Sequence, residues 1–157
     1  MIDQCSAEDL LLDNQLCFVL YATSKATIQA YRTNLDKLGV TYPQYLVFMV
    51  LWEEDKIPLK RLGERLYLDS GTLTPLLKRL EKEGFFYKRT LSKRRTRDPN
   101  EAHQKDQELQ KKAKPVPRTM MCAVDVEDEG LIKMRDQLKN LLARLQKIKP
   151  ESHENRT

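Results

Sequence analysis

The sequence predicts a mainly α-helical chain with one short β segment, organised around a helix-turn-helix. Three observations carry this. Long amphipathic helical patterns stand near both ends of the chain. Between them, two short leucine-patterned stretches flank a tight turn. A nearly all-apolar helix precedes the pair, and that order is the sequence form of a helix-turn-helix.

The elements follow in order. From Asp9 to Leu38 the residues Leu12, Leu16, Leu20, Ile28 and Leu35 recur at helical spacings, and Gly39 ends the run. In "TYPQYLVFMVLWEED" Thr41 is the N-cap candidate, Pro43 sits in the first turn and Gln44 stands three positions after the cap. This helix is apolar almost all round and is expected to be the most buried. Pro58 opens a short helix with Leu59, Leu62 and Leu66 on one face. Asp69 or Ser70 caps the next, which carries Leu73, Leu76, Leu77 and Leu80 and stops at Gly84. Pro75 falls early enough in that helix to remove few backbone bonds.

Residues 85–90, "FFYKRT", pattern as a strand. Residues 91–107 show no alternation, and no return strand is read there. A polar helix over 108–122 is interrupted by "KPVPRT". The last helical stretch places Leu131, Met134, Leu138, Leu142 and Leu145 in one stripe. Neither the first nor the last helix has another domain to cover it, so pairing of two copies is expected.

Bulk properties narrow the function. With 28 Lys+Arg against 23 Asp+Glu the net charge is +5 over 157 residues, a mild excess that suits an anionic polymer. The opening "MIDQCSAEDL" lacks the pattern of a secretory leader, and no stretch approaches the roughly 18 apolar residues of a membrane span. A cytoplasmic protein with no membrane partner is expected. Cys5, Cys17 and Cys122 are too scattered for a disulfide framework. No ligand pairing for a metal is present, and no cofactor is expected. A thiol peroxidase would need a cysteine at a helix N-terminus or a C-x-x-C, and neither is read, so the chain is not expected to be an enzyme.

Two groups of residues carry chemistry. A DNA-reading helix needs short polar side chains near its N-terminus and basic ones further on. "DSGTLTPLLKRLEKEG" offers Ser70, Thr72 and Thr74, then Lys78 and Arg79. In "NQLCFVLYATSKATIQAYR", Cys17, Tyr21 and Tyr31 lie within about 80° of one another around the helix and so share a face. Phenol hydrogen bonds donated to a thiolate favour the ionised form, and the thiolate is what attacks a peroxide. On the residues alone, Cys17 as a small buried hydrophobe and the second helix of the pair as a capped surface helix both stay open.

"NQLCF", "VTYPQYL" and "LDSGTLTPLLKRLE" resemble the organic-hydroperoxide-sensing, OhrR-type branch of the MarR family, over about 12–84 and again around "KKAKPVPRTMMCAV". The resemblance implies a winged helix-turn-helix homodimer that represses a peroxidase gene by binding a double-stranded inverted-repeat operator. It implies one domain over 1–157, with 41–107 binding DNA and 9–38 and 108–148 dimerising. It implies that Cys17 is the peroxide-reactive thiol, with Tyr21, Tyr31 and Tyr42 hydrogen-bonding around it. Cys122 stands where two-cysteine members hold the cysteine that closes an intersubunit disulfide. Organic hydroperoxide is then the oxidant, and oxidation releases DNA. Regulation by a bound ligand without a thiol switch, or a variant whose wing binds DNA weakly, are the alternatives.

One stretch departs from that pattern. Where the family has a D-E-R tip, an alternating strand and a Leu-Thr, residues 94–104 read "RRTRDPNEAHQ". Length is kept while pattern is lost, as after a reading-frame slip that is restored a few codons later. For one choice of codons, deleting a single C turns "KRRTRDPNEAHQK" into K-D-E-R-V-I-R-M-K-L-T-K. If the stretch is native, Pro99 cannot donate to a sheet ladder and the second wing strand is lost, with Arg94, Arg95 and Arg97 still able to meet phosphates. Resequencing the gene decides between them: a slip leaves compensating insertions or deletions flanking these codons, and an unambiguous in-frame reading sinks the sequencing-error version.

Overall fold

The computed structural model describes residues 7–54, 57–85, 99–124 and 127–148. The chain divides into two compact units, Met1–Val116 and Pro117–Thr157. In the first unit, two 3-10 turns at Ala7–Leu10 and Leu12–Asn14 lead into α1 (Leu16–Leu38). There follow α2 (Tyr42–Glu53), α3 (Leu59–Leu66), α4 (Ser70–Lys82) and α5 (Pro99–Ala113). Next is α6 (Val116–Ala123), most of which belongs to the second unit, and then α7 (Asp128–Leu145).

Capping explains most of the boundaries. Gly39 ends α1 with φ 69°, the left-handed geometry that glycine adopts without cost. Thr41 begins α2, and its backbone N–H donates to the Gln44 Oε1 at 2.7 Å. Of the two caps expected for α4, Asp69 is the one used: its carboxylate accepts from the Thr72 backbone N–H at 2.8 Å. Pro75 lies within α4, which continues through it.

Two expected helix starts move. α1 begins at Leu16 rather than Asp9, because Asn14 and Gln15 turn their side-chain amides onto the carbonyls of Glu8 and Asp9 and hold the preceding residues in 3-10 turns. α5 begins at Pro99, nine residues before the expected 108. Proline suits a first helical position, where its missing N–H has no intrahelical role. A helix this polar needs few apolar anchors, and the buried pair Leu109 and Ala113, one turn apart, supplies them. Phe85 is buried at the foot of the expected strand, while residues 86–90 and the rest of the wing through Asp98 lie outside the described residues.

The core of the first unit gathers Leu35 of α1, Val47 and Phe48 of α2, Leu62 of α3, Leu73, Leu77 and Leu80 of α4, and Leu109 of α5. Phe48 meets Phe85 edge-on at 4.9 Å and stacks on Trp52 at 5.8 Å. The α3–α4 turn is tight. Tyr67 takes φ 55°, the only positive φ at a non-glycine among the described residues. Gly63 donates no side chain there, and a Cβ on it would stand 2.8 Å from the Leu68 carbonyl oxygen. In the second unit α7 has Asp128 and Glu129 in its first turn and Arg144 in its last, each complementing the helix dipole. It has no buried residue: Ile132, Met134, Leu138, Leu142 and Leu145 are all exposed.

Gly63→Ala therefore forces the turn apart. The expected loss is about 1–3 kcal/mol, the usual cost of overpacking, measured by urea denaturation; unchanged stability would show that the α3–α4 turn gives way freely.

Candidate DNA-reading helix and thiol site

α4 is two-faced. Leu73, Leu77 and Leu80 are buried, while Ser70, Thr72, Lys78 and Arg79 are exposed and Thr74 is half-exposed. The five polar residues expected at a reading surface are thus gathered on one short helix and turned away from the core. Asp69 fixes its N-terminus chiefly through Thr72, by the backbone N–H and by the hydroxyl, which donates to Oδ2 at 3.1 Å. With its hydrogen engaged by the cap, the exposed Thr72 hydroxyl keeps acceptor capacity toward solvent. These two hydrogen bonds, backbone first, hold the Asp69 carboxyl below its ordinary value. On α3, Arg61 pairs with Glu54 at 3.0 Å and Arg65 with Glu53. Both arginines are directed toward the end of α2.

Cys17 is the second residue of α1, so a cysteine does stand at a helix N-terminus, contrary to the expectation drawn from an α1 starting at Asp9; both it and Cys122, near the end of α6, are exposed free thiols. Within one chain Cys17 is therefore not buried among apolar neighbours. Tyr21, one turn on, is also exposed, with the Lys25 Nζ 5.2 Å from its ring centroid. Cys5 lies outside the described residues.

Tyr31 and Tyr42 do come together, their rings 5.2 Å apart, and Tyr45 joins them at 6.2 Å from Tyr31. Burial pushes all three phenols above their ordinary range; in Tyr31 and Tyr45 the neighbouring phenols add to it. They therefore stay protonated, as donors, at neutral pH. Within one chain they are remote from Cys17. Fourteen residues of helix separate Cys17 from Tyr31, about 21 Å at 1.5 Å per residue. A shared face is not a shared site, and the lane drawn from angular spacing is corrected to a thiol at one end of α1 and a tyrosine cluster further along it.

Sequence reasoning missed Tyr45 and Gly63. Tyr45 stands three positions after Tyr42, a spacing that places both on one face of α2. Gly63 carries no such signal, because only the fold brings the Leu68 carbonyl against it. Among the described residues no cluster of His, Cys, Asp and Glu could hold a metal ion, and no helix is long and apolar enough to cross a membrane.

This arrangement, a capped two-faced helix behind a tight turn and a buried α2, has known counterparts. The MarR family model matches residues 40–100, which begin just before α2 and take in α3 and α4. An organic hydroperoxide resistance transcriptional regulator of Bacillus subtilis is 38% identical over 138 residues, covering 88% of this chain and 94% of the relative. The chain belongs to the MarR family. AbfR of Staphylococcus epidermidis has a similar structure, with 31% identity, TM-score 0.61, and coverage of 89% of this chain and 97% of the other. The structure of reduced AbfR bound to DNA matches at 29% identity and TM-score 0.60, covering 89% and 98%. The segment that the family model matches takes in the helix-turn-helix, and the thiol on α1 lies outside it.

Because the Asp69 carboxyl is held low in the folded state, its cap contributes stability above the ordinary carboxylate range, and that contribution is lost as pH falls through the folded value. Asp69→Ala is expected to melt at a lower temperature than wild type at pH 7. The gap should narrow as the pH is taken down through and below the ordinary carboxylate range; an equal gap at pH 7 and at low pH would detach the cap from the charge.

Proposed function

We infer that this chain is a redox-sensing, DNA-binding transcriptional repressor that works as a homodimer and answers organic hydroperoxides. It is a regulator and not an enzyme. The observation that carries the reading is a combination within one chain: an exposed free thiol on α1, and a two-faced helix in a helix-turn-helix, in a chain that aligns over 88% of its length with a hydroperoxide-resistance regulator. The likeness to AbfR, solved in a reduced form on DNA, supports double-stranded DNA as the partner. A cytoplasmic location follows from that partner.

On this reading, helices α2 to α4, within residues 41–107, bind DNA. Ser70, Thr72 and Thr74 meet base edges, and Lys78 and Arg79 meet phosphates. α1, the end of α5 from residue 108, α6 and α7, within 9–38 and 108–148, pair two copies, and the exposed apolar residues of α1 and α7 are what that pairing buries. Two reading helices then face successive half-sites of an inverted repeat.

The proposed switch starts at Cys17. Its thiolate attacks the terminal oxygen of the hydroperoxide, breaking the O–O bond and leaving the alcohol and a sulfenic acid. The thiol of Cys122 of the partner subunit then displaces water from that sulfenic acid, forming a disulfide. Tyr31 and Tyr42, remote from Cys17 in their own chain, serve the Cys17 of the partner subunit, while Tyr21 is near enough to serve its own. As protonated donors they stabilise the thiolate. The disulfide favours a dimer whose reading helices no longer match the two half-sites, and DNA is released.

Treating the protein with one equivalent of organic hydroperoxide should give a disulfide-linked dimer on a non-reducing gel and a DNA affinity at least about tenfold weaker, ~1.4 kcal/mol. Cys17→Ser should lose both effects, and Cys122→Ser should lose the dimer band. An unreactive Cys17 would remove the sensor. DNA release that survives Cys17→Ser would point to regulation by a bound ligand.

A further inference from the structure

Gln44 is the one buried polar side chain among the described residues, 1% exposed, and its amide is used at both ends. Oε1 accepts from the Thr41 backbone N–H at 2.7 Å, closing the cap of α2. Nε2 donates to the Glu83 Oε2 at 2.9 Å, thirty-nine residues away in sequence, at the C-cap of α4. The same buried amide therefore ties the first turn of α2 to the last turn of the reading helix.

The placement of charge is informative. A carboxylate at the C-terminus of α4 is at the wrong end of its own helix, where the dipole is negative. It is at the right end of α2, whose N-terminal N–H groups it approaches through Gln44. The Glu83 carboxylate is thus turned outward from α4 and onto α2. Its backbone carbonyl is occupied as well, accepting from the Lys105 Nζ of α5 at 2.6 Å. Tyr42, the first residue of α2, is packed on Tyr31 of α1 and lies beside Thr41 and Gln44 in the chain.

We propose that Gln44 and Glu83 are positioning residues for DNA release, the link through which a shift of the Tyr31–Tyr42 cluster turns the reading helix. The proposal rests on the redox reading above and adds the route by which the signal leaves the tyrosines. A displacement at Tyr42 moves the cap of α2, and the buried Gln44 amide passes that movement through its hydrogen bond to Glu83, an exposed residue at the end of α4. The link acts through α4 and touches neither oxidant nor DNA.

The test measures the operator affinity of the full-length protein, reduced and hydroperoxide-treated. Its probe is a duplex that the reduced protein selects from a random-sequence pool. Glu83→Ala cuts the link and leaves the Thr41–Gln44 cap intact; Glu83→Gln keeps an oxygen acceptor for Gln44 Nε2. In Glu83→Ala the ratio of oxidised to reduced Kd is expected to fall by about fivefold or more towards unity, the size of an ordinary coupling. Its reduced affinity and its Cys17 oxidation rate should stay close to wild type, and Glu83→Gln should retain the ratio. A ratio unchanged in Glu83→Ala overturns the link, as does weaker binding in both states by one factor, which marks a merely structural bond. If hydroperoxide leaves the affinity of wild type itself unchanged, the redox reading falls and the link falls with it. Should Glu83→Ala not fold, loss of the ratio in Glu83→Lys with a wild-type melting curve supports the link, and retention overturns it.

Discussion

Everything that α4 can do for DNA depends on burying its other face. Leu73, Leu77 and Leu80 are at most 1% exposed, and they enter the same core as Val47 and Phe48 of α2. Each such side chain taken from water is worth about 1.5–3 kcal/mol. That burial fixes the rotation of α4 about its own axis, and the rotation decides which side chains point outward. Asp69 then fixes where the helix starts and Gly63 lets the preceding helix approach closely enough to turn into it. The polar face is the residue of an apolar decision.

The rest of the molecule inverts that economy. α2 holds five buried residues in twelve, whereas α7 holds none in eighteen. Leu16, Val19 and Ile28 of α1 are likewise left in water. Isolated exposed apolar residues need no explanation, but long runs of them on two helices do. Covering them with a second copy is the economical solution, and Cys17 stands among the exposed residues Leu16, Phe18 and Val19 of α1. Fold and sensing then draw on the same apolar surface.

Much of this was legible in the sequence where a local rule decides the outcome. Gly39 after a helical run, Thr41 with Gln44 and Asp69 before an apolar-patterned helix each mark an end by their own chemistry, and each end falls there. The α1 start was not legible, because Leu10, Leu11 and Leu12 continue an apolar pattern that Asn14 and Gln15 interrupt only by bonding backwards. α5 was read too short because its first turns are polar, and periodicity has nothing to register there. The candidate site divides the same way. The residues of α4 fall on one surface because one helix carries them all, whereas Cys17 and Tyr31 share an angle but not a height, and angular spacing is blind to height.

Phe85 and Lys105 form a clasp between the end of α4 and α5. Phe85 is buried against Phe48, and Lys105 reaches back so that its Nζ lies 4.2 Å from the Phe85 ring centroid and bonds the Glu83 carbonyl. The Phe85 ring is thus held by Phe48 on one side and by a cation on the other, and the same ammonium closes the end of α4. One lysine therefore fastens α5 both to the aromatic core and to the last turn of α4, so the seating of α5 and the ending of α4 are a single event in folding.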